Sequence, residues 1–115
     1  MGTTNPSFMN GVPELLVLRL LRNGEMYGYQ LVQAIRAETG EVVSLGEGVV
    51  YPVLHALEAS GAITSQRRAV GGRSRIYYAL SPQGTSRLAE LTGIWSRLTG
   101  AVQQVLTGAG HAKPV

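Results

Sequence analysis

The apolar residues of this chain keep a helical repeat as far as Gly61, alternate through Leu80, and then return to a helical repeat. A chain that changes period in this way must set a β-hairpin between helices. In the segment before the change, GEGVVYPVLHALEASG, Val50, Val53, Leu54 and Leu57 recur at helical spacing while Tyr51, His55 and Glu58 point away from them. This predicts an amphipathic helix over 46–60, with Gly46 as N-cap and Gly61 as the stop. Pro52 removes one backbone bond and crowds the carbonyl of Gly48, so the helix should start with an irregular, exposed end suited to a phosphate or a base edge. After Gly61, Ala62–Arg68 and Arg75–Leu80 read as two strands joined by AVGGRS. Ile63, Ile76, Tyr78 and Leu80 can pack inward, and Arg67, Arg73 and Arg75 fall at or near the tip.

The flanking segments complete the architecture. VPELLVLRLLRNG reads as a helix apolar on most sides, with Pro13 early and Gly24 as its stop. A turn at Glu25 and Met26 leads into a second helix, YGYQLVQAIRAETG, whose inner face carries Leu31 and Ile35. Two helices, a short link and a third helix with an exposed end form the helix-turn-helix order. The hairpin that follows makes it a winged helix, in an α+β chain that is mainly α. Ser81 and Pro82 then open a long helix in which Leu88, Leu91, Trp95, Leu98, Val102 and Val105 make a heptad seam, a pattern that fits dimerisation. The expected organisation is a flexible arm over 1–11, a winged helix-turn-helix over 12–80, a dimerisation helix over 81–107 and a tail over 108–115.

Composition narrows the function. The 115 residues include no cysteine and no aspartate, which excludes disulfides and thiolate metal sites. His55 and His111 have no partners placed to make a catalytic or metal site, so neither an enzyme nor a metal or other cofactor is expected. No apolar run is long enough to span a bilayer, and no signal peptide is evident; no membrane partner and a cytoplasmic location are expected. Charge is distributed unevenly. Residues 12–61 carry three Arg against six Glu, whereas residues 62–80 carry Arg67, Arg68, Arg73 and Arg75 with no acid. A basic block beside an exposed helix is an electrostatic footprint for double-stranded DNA. A winged-helix assembly module that does not bind DNA is the competing reading, carried by Glu47, Val49 and Ile76 on the expected DNA side.

PELLVLRLL, YGYQL, GVVYPVLHALEASGAITS and GGRSRIYYALSPQG, in this order, resemble the PadR family of bacterial transcription regulators, in its short subgroup with one C-terminal helix. The resemblance implies a homodimeric repressor that binds an inverted repeat. It implies DNA contacts from Tyr27, from Gly48, Val49, Tyr51 and His55, and from Arg67, Arg73, Arg75 and Tyr77 in the wing. It further implies that Trp95, with Leu91 and Leu98, lines a site for a flat aromatic effector at the dimer centre; as a plain seam residue, Trp95 would be only a large anchor. The chain departs from the family pattern where Gly46 and Glu47 replace Ser-Pro, Val49 replaces threonine and Ile76 replaces a basic residue. Each change removes a phosphate contact or adds an acid.

Overall fold

Pro13 pre-sets helical backbone in the first turn of α1 (Val12–Arg22), and the N–H groups of Asn23 and Gly24 close its end on the carbonyls of Leu20 and Leu21. A helix of this length is marginal alone. It is held by burying Val17, Leu18, Leu20 and Leu21 against α2 (Gly28–Glu38), α3 (Glu47–Ala59) and the sheet. The computed structural model describes residues 11–108. The expected arm and tail lie outside the described residues, apart from Gly11 and Gly108.

The link from α2 to α3 is shaped locally. Thr39 Oγ1 donates to the carbonyl of Ile35 at 2.7 Å and accepts from the N–H of Val43 at 3.1 Å. Gly40 and Glu41 then adopt left-handed backbone, and Leu45, 3% exposed, pins the link to the core. In α3, Val50, Leu54 and Leu57 are buried as their spacing predicts. The irregular start expected there reduces to one shared bond: the Gly46 carbonyl accepts from the N–H groups of both Val49 and Val50. Helical backbone continues through Pro52.

The sheet holds the main departure. Met26, expected in a turn, and Tyr27, expected to open the second helix, form strand β1 (Met26–Tyr27), so the two-stranded wing acquires a third strand. The wing strands β2 (Ile63–Val70) and β3 (Arg73–Leu80) run antiparallel from Ile63 opposite Leu80 to Val70 opposite Arg73, and β1 pairs with the far edge of β3. They are longer than their apolar pattern predicts because Gly71 and Gly72, at φ 57° and 79°, close the hairpin in two residues. Positive φ at both central positions is the type I′ condition, which matches the twist of the strands. Only the core end of the hairpin is covered: Ile63 and Tyr78 are buried, Leu80 is half-buried, and Ile76 is exposed. The expectation that Ile76 packs inward fails because the face alternates correctly but extends beyond the core.

Ser81 joins the sheet to α4 (Pro82–Thr107). Its hydroxyl donates to the Gly61 carbonyl at 2.6 Å and accepts from the Gly84 N–H at 3.0 Å. Gly84 crosses so close to β2 that a Cβ there would lie 2.0 Å from the Ala62 carbonyl oxygen. Leu88 is buried, and Arg87 Nε meets Glu14 on α1 at 2.8 Å. From Ile94 onward the apolar positions are open to solvent.

The glycines of α4 therefore separate into two kinds. Gly84→Ala is expected to destabilise the fold by about 1–3 kcal/mol through overpacking against backbone. Gly100→Ala, with open space at its Cβ, is expected to stabilise by about 0.5–1 kcal/mol. Urea denaturation of the two variants checks both signs.

Candidate functional site

A groove of about 280 Å³ separates the exposed start of α3 from the free edge of β3 and is bordered by Tyr27, Gly28, Tyr51, Arg67, Arg75 and Ile76. Its floor depends on a close approach. A Cβ on Gly28 would lie 2.5 Å from the Tyr51 ring, so glycine at the start of α2 is what lets Tyr51 lean against it. Tyr51 was expected to point away from the apolar stripe, and it does so only in part: its ring is half-buried in this notch. Burial raises the phenol above its ordinary pKa, and the charge of Glu47 adds to the shift. The hydroxyl is thus protonated at neutral pH, able both to donate and to accept.

The other side of the groove is the wing. Side chains alternate across a strand, so Arg67 and Ile76 share the face that leads to Tyr78 and the core, while Arg68, Arg75 and Tyr77 lie on the outer face. On that outer face the guanidinium of Arg75 sits 4.4 Å from the Tyr27 ring centre and that of Arg68 sits 5.1 Å from the Tyr77 ring centre. The two tyrosines meet edge to face at 5.5 Å. Arg68 also grips Glu25 with both guanidinium nitrogens, which holds the Glu25 carboxyl below the usual carboxylate range. This pairing is intact above that range and is lost as pH falls through the lowered value.

The basic block is consequently not uniform. Arg68 is committed to Glu25, and Arg67 donates to Ser74 Oγ at 3.1 Å. Arg73, beside the turn, has no intramolecular partner among the described residues. Of the residues expected to face DNA, Tyr51 and Arg67 line the groove, and Tyr27 and Arg75 border it while stacking on each other on the outer face of the wing. Gly48 and His55 are exposed on α3, Val49 is half-buried against the core, and the Tyr77 ring belongs to the outer face. Two contributors escaped the sequence reading. Gly28 lies within YGYQ, but no local pattern connects it to Tyr51, and Glu25 meets Arg68 only because β1 joins the sheet.

A second cluster lies on α4. Ile94, Trp95, Leu98, Val102, Val105 and Leu106 are each more than two-fifths exposed, so most of the heptad seam has no cover among the described residues. Leu88 is the exception, buried in the core, and Leu91 is half-buried. Leu91, Trp95 and Leu98, together with Val12, Leu15 and Ile94, line a small apolar groove of about 110 Å³. Among the described residues, no His, Asp or Glu cluster could hold a metal ion, and no helix is long and apolar enough to cross a membrane.

Comparison with known proteins decides the family. The pattern of the transcriptional regulator PadR-like family matches residues 17–90. The chain belongs to this family. Its relatives include the transcriptional regulator Rv3488 of Mycobacterium tuberculosis, 34% identical over 104 residues that cover 90% of this chain and 92% of the relative. A transcriptional regulator from Clostridium thermocellum shares the fold at TM-score 0.80 and 25% identity, across 86% of this chain and 97% of the other. Bacillus subtilis PadR, solved in complex with operator DNA, aligns at TM-score 0.64 and 30% identity, across 69% of this chain and 46% of that one. As a PadR-like protein the chain is a transcriptional regulator and not an enzyme.

The notch under Tyr51 gives the geometry a direct test. Gly28→Ala should force the ring out and cost about 1–3 kcal/mol in urea denaturation. Much of that loss should be recovered in Gly28→Ala/Tyr51→Ala, because the second change removes the clashing ring.

Proposed function

We propose that this PadR-like regulator is a homodimeric repressor of an inverted-repeat operator in double-stranded DNA. The observation that carries the reading is the groove itself, where Tyr51 on α3 faces arginines on a wing that contains no acid. In this reading residues 12–80 form the DNA-binding unit. The first turn of α3 enters the major groove with Gly48, Tyr51 and His55 toward the bases, Arg73 and Arg75 hold the backbone, and Arg67 follows if it leaves Ser74. Tyr27 and Tyr77 support Arg75 from behind. Val49, half-buried, contributes its backbone more than its side chain. The operator complex of the Bacillus subtilis relative supports binding to DNA.

Residues 81–107 supply the dimer contact in the same proposal. An apolar helix face this long is costly to leave in water, and burying each large side chain is worth on the order of 1–3 kcal/mol. To enter successive major grooves, the two α3 helices of such a dimer must stand about 34 Å apart, one turn of DNA. A flat aromatic effector stacked on Trp95 between Leu91 and Leu98 would change the angle between the α4 helices and so that spacing. Its effect is bounded by its difference in affinity for the two forms.

Fluorescence anisotropy of the protein's own promoter DNA across a salt series tests the DNA reading. Wild type should bind with a steep salt slope, and Arg73→Ala/Arg75→Ala should bind more weakly with a slope shallower by up to about 2 per subunit. Absence of binding by wild type at low salt would favour an assembly module instead. Leu98→Glu/Val102→Glu should sediment as a monomer and lose tight operator binding. Flat aromatic compounds should quench Trp95 fluorescence, and unchanged emission would remove the effector from the account.

A further inference from the structure

The first turn of α3 contains an acid where a DNA-binding surface would ordinarily avoid one. Glu47 is exposed at the first helical position, and its carboxylate forms no ion pair or hydrogen bond among the described residues. It is flanked by Gly46 and Gly48, and nothing among the described residues requires either glycine. Gly46 has ordinary extended backbone at φ −80° and ψ 178°, and Gly48 lies in the helix without positive φ. Apart from chain neighbours and the backbone of the helix itself, no described atom lies within 4 Å of where a Cβ would stand at either position. Gly28 and Gly84, by contrast, are demanded by close neighbours. Glycine inside a helix is less stable than alanine, so Gly48 weakens α3 with no compensating contact among the described residues.

Resting on the DNA-binding reading above, we infer that Glu47 reads a cytosine in the major groove and that Gly46 and Gly48 are bare so that the helix end can approach the base edges. An ionised carboxylate accepts hydrogen bonds and cannot donate them, so it is repelled by phosphate oxygens. Base edges offer it two kinds of donor. Cytosine presents its N4 amino group, whereas adenine presents N6 beside the N7 acceptor, which opposes a second carboxylate lone pair. Guanine and thymine present acceptors there and a methyl group. Cytosine is therefore the favoured partner. The position also suits the acid before DNA arrives, because a helix N-terminus stabilises negative charge. Glu47 thus replaces a phosphate contact with a base contact, trading general affinity for sequence preference.

The test uses the full-length protein and a pool of DNA duplexes with a randomised central stretch, enriched in parallel by wild type, Glu47→Gln and Gly48→Ala. The wild-type pool should fix a cytosine at one position of each half-site. In the Glu47→Gln pool that position should turn to adenine, which glutamine reads through both N6 and N7, while the other positions stay the same. On the wild-type consensus, Glu47→Gln should lower the preference for cytosine by roughly 5- to 150-fold. Gly48→Ala should raise Tm by about 3–6 °C and yet bind the consensus at least tenfold more weakly, a combination that a purely structural glycine would not give. Identical consensus sequences from wild type and Glu47→Gln would overturn the role of Glu47, and undiminished binding by Gly48→Ala would overturn that of the glycines. Enrichment of no sequence by any of the three proteins would overturn the DNA-binding reading itself, and this inference with it.

Discussion

The pairing of β1 with β3 is the contact on which the working face depends. A two-residue strand contributes little burial of its own. Its position, between α1 and α2, makes it the join between the helical core and the wing. Placing Met26 opposite Tyr78 and Tyr27 opposite Tyr77 fixes where α2 begins, and hence where Gly28 stands to receive the Tyr51 ring. The same register brings Tyr27 under Arg75 and Glu25 within reach of Arg68. A hairpin attached only through its own turn would be a mobile arm. Braced at β1, it becomes one wall of a groove whose other wall is α3.

Energetics divide the molecule along α4. No polar or charged residue is fully buried among the described residues, so the core is held by apolar contact among Leu18, Leu31, Ile35, Leu54 and Ile63. Ser81 and Gly84 couple that core to the first turn of α4, and the exposed Arg87–Glu14 pair adds the modest stabilisation that surface ion pairs give. Beyond Leu91, among the described residues, only the small groove at the start of α1 adjoins the helix, and the apolar positions of the helix stand exposed. Its 26 residues extend for about 39 Å, far past the point where the core ends. Core packing thus ends part-way along one helix, and among the described residues the outer half presents its apolar positions to solvent.

The helices and the hairpin were legible because their periods persist over many residues. Val50, Leu54 and Leu57 mark one face without ambiguity, and the paired glycines at 71 and 72 mark the turn. Strand β1 was not legible because two residues carry no period. Ile76 was misplaced because alternation identifies a face and says nothing of where the core stops. The partner of Arg68 was not legible, because a charge count along the chain cannot register Glu25, which becomes a neighbour only through tertiary pairing. In the same way, YGYQ signalled a helix start but not that its glycine seats a tyrosine from another helix.

Amide chemical-shift mapping of the labelled protein with a short duplex from its own promoter tests most directly the claim that α3 and the braced wing form one DNA-binding surface. The account predicts shifts at Gly46–Tyr51, at Tyr27 and Gly28, and along Arg73–Ile76, with the outer half of α4 unchanged. Shifts concentrated on α4, or spread with no preference for the groove, would contradict it.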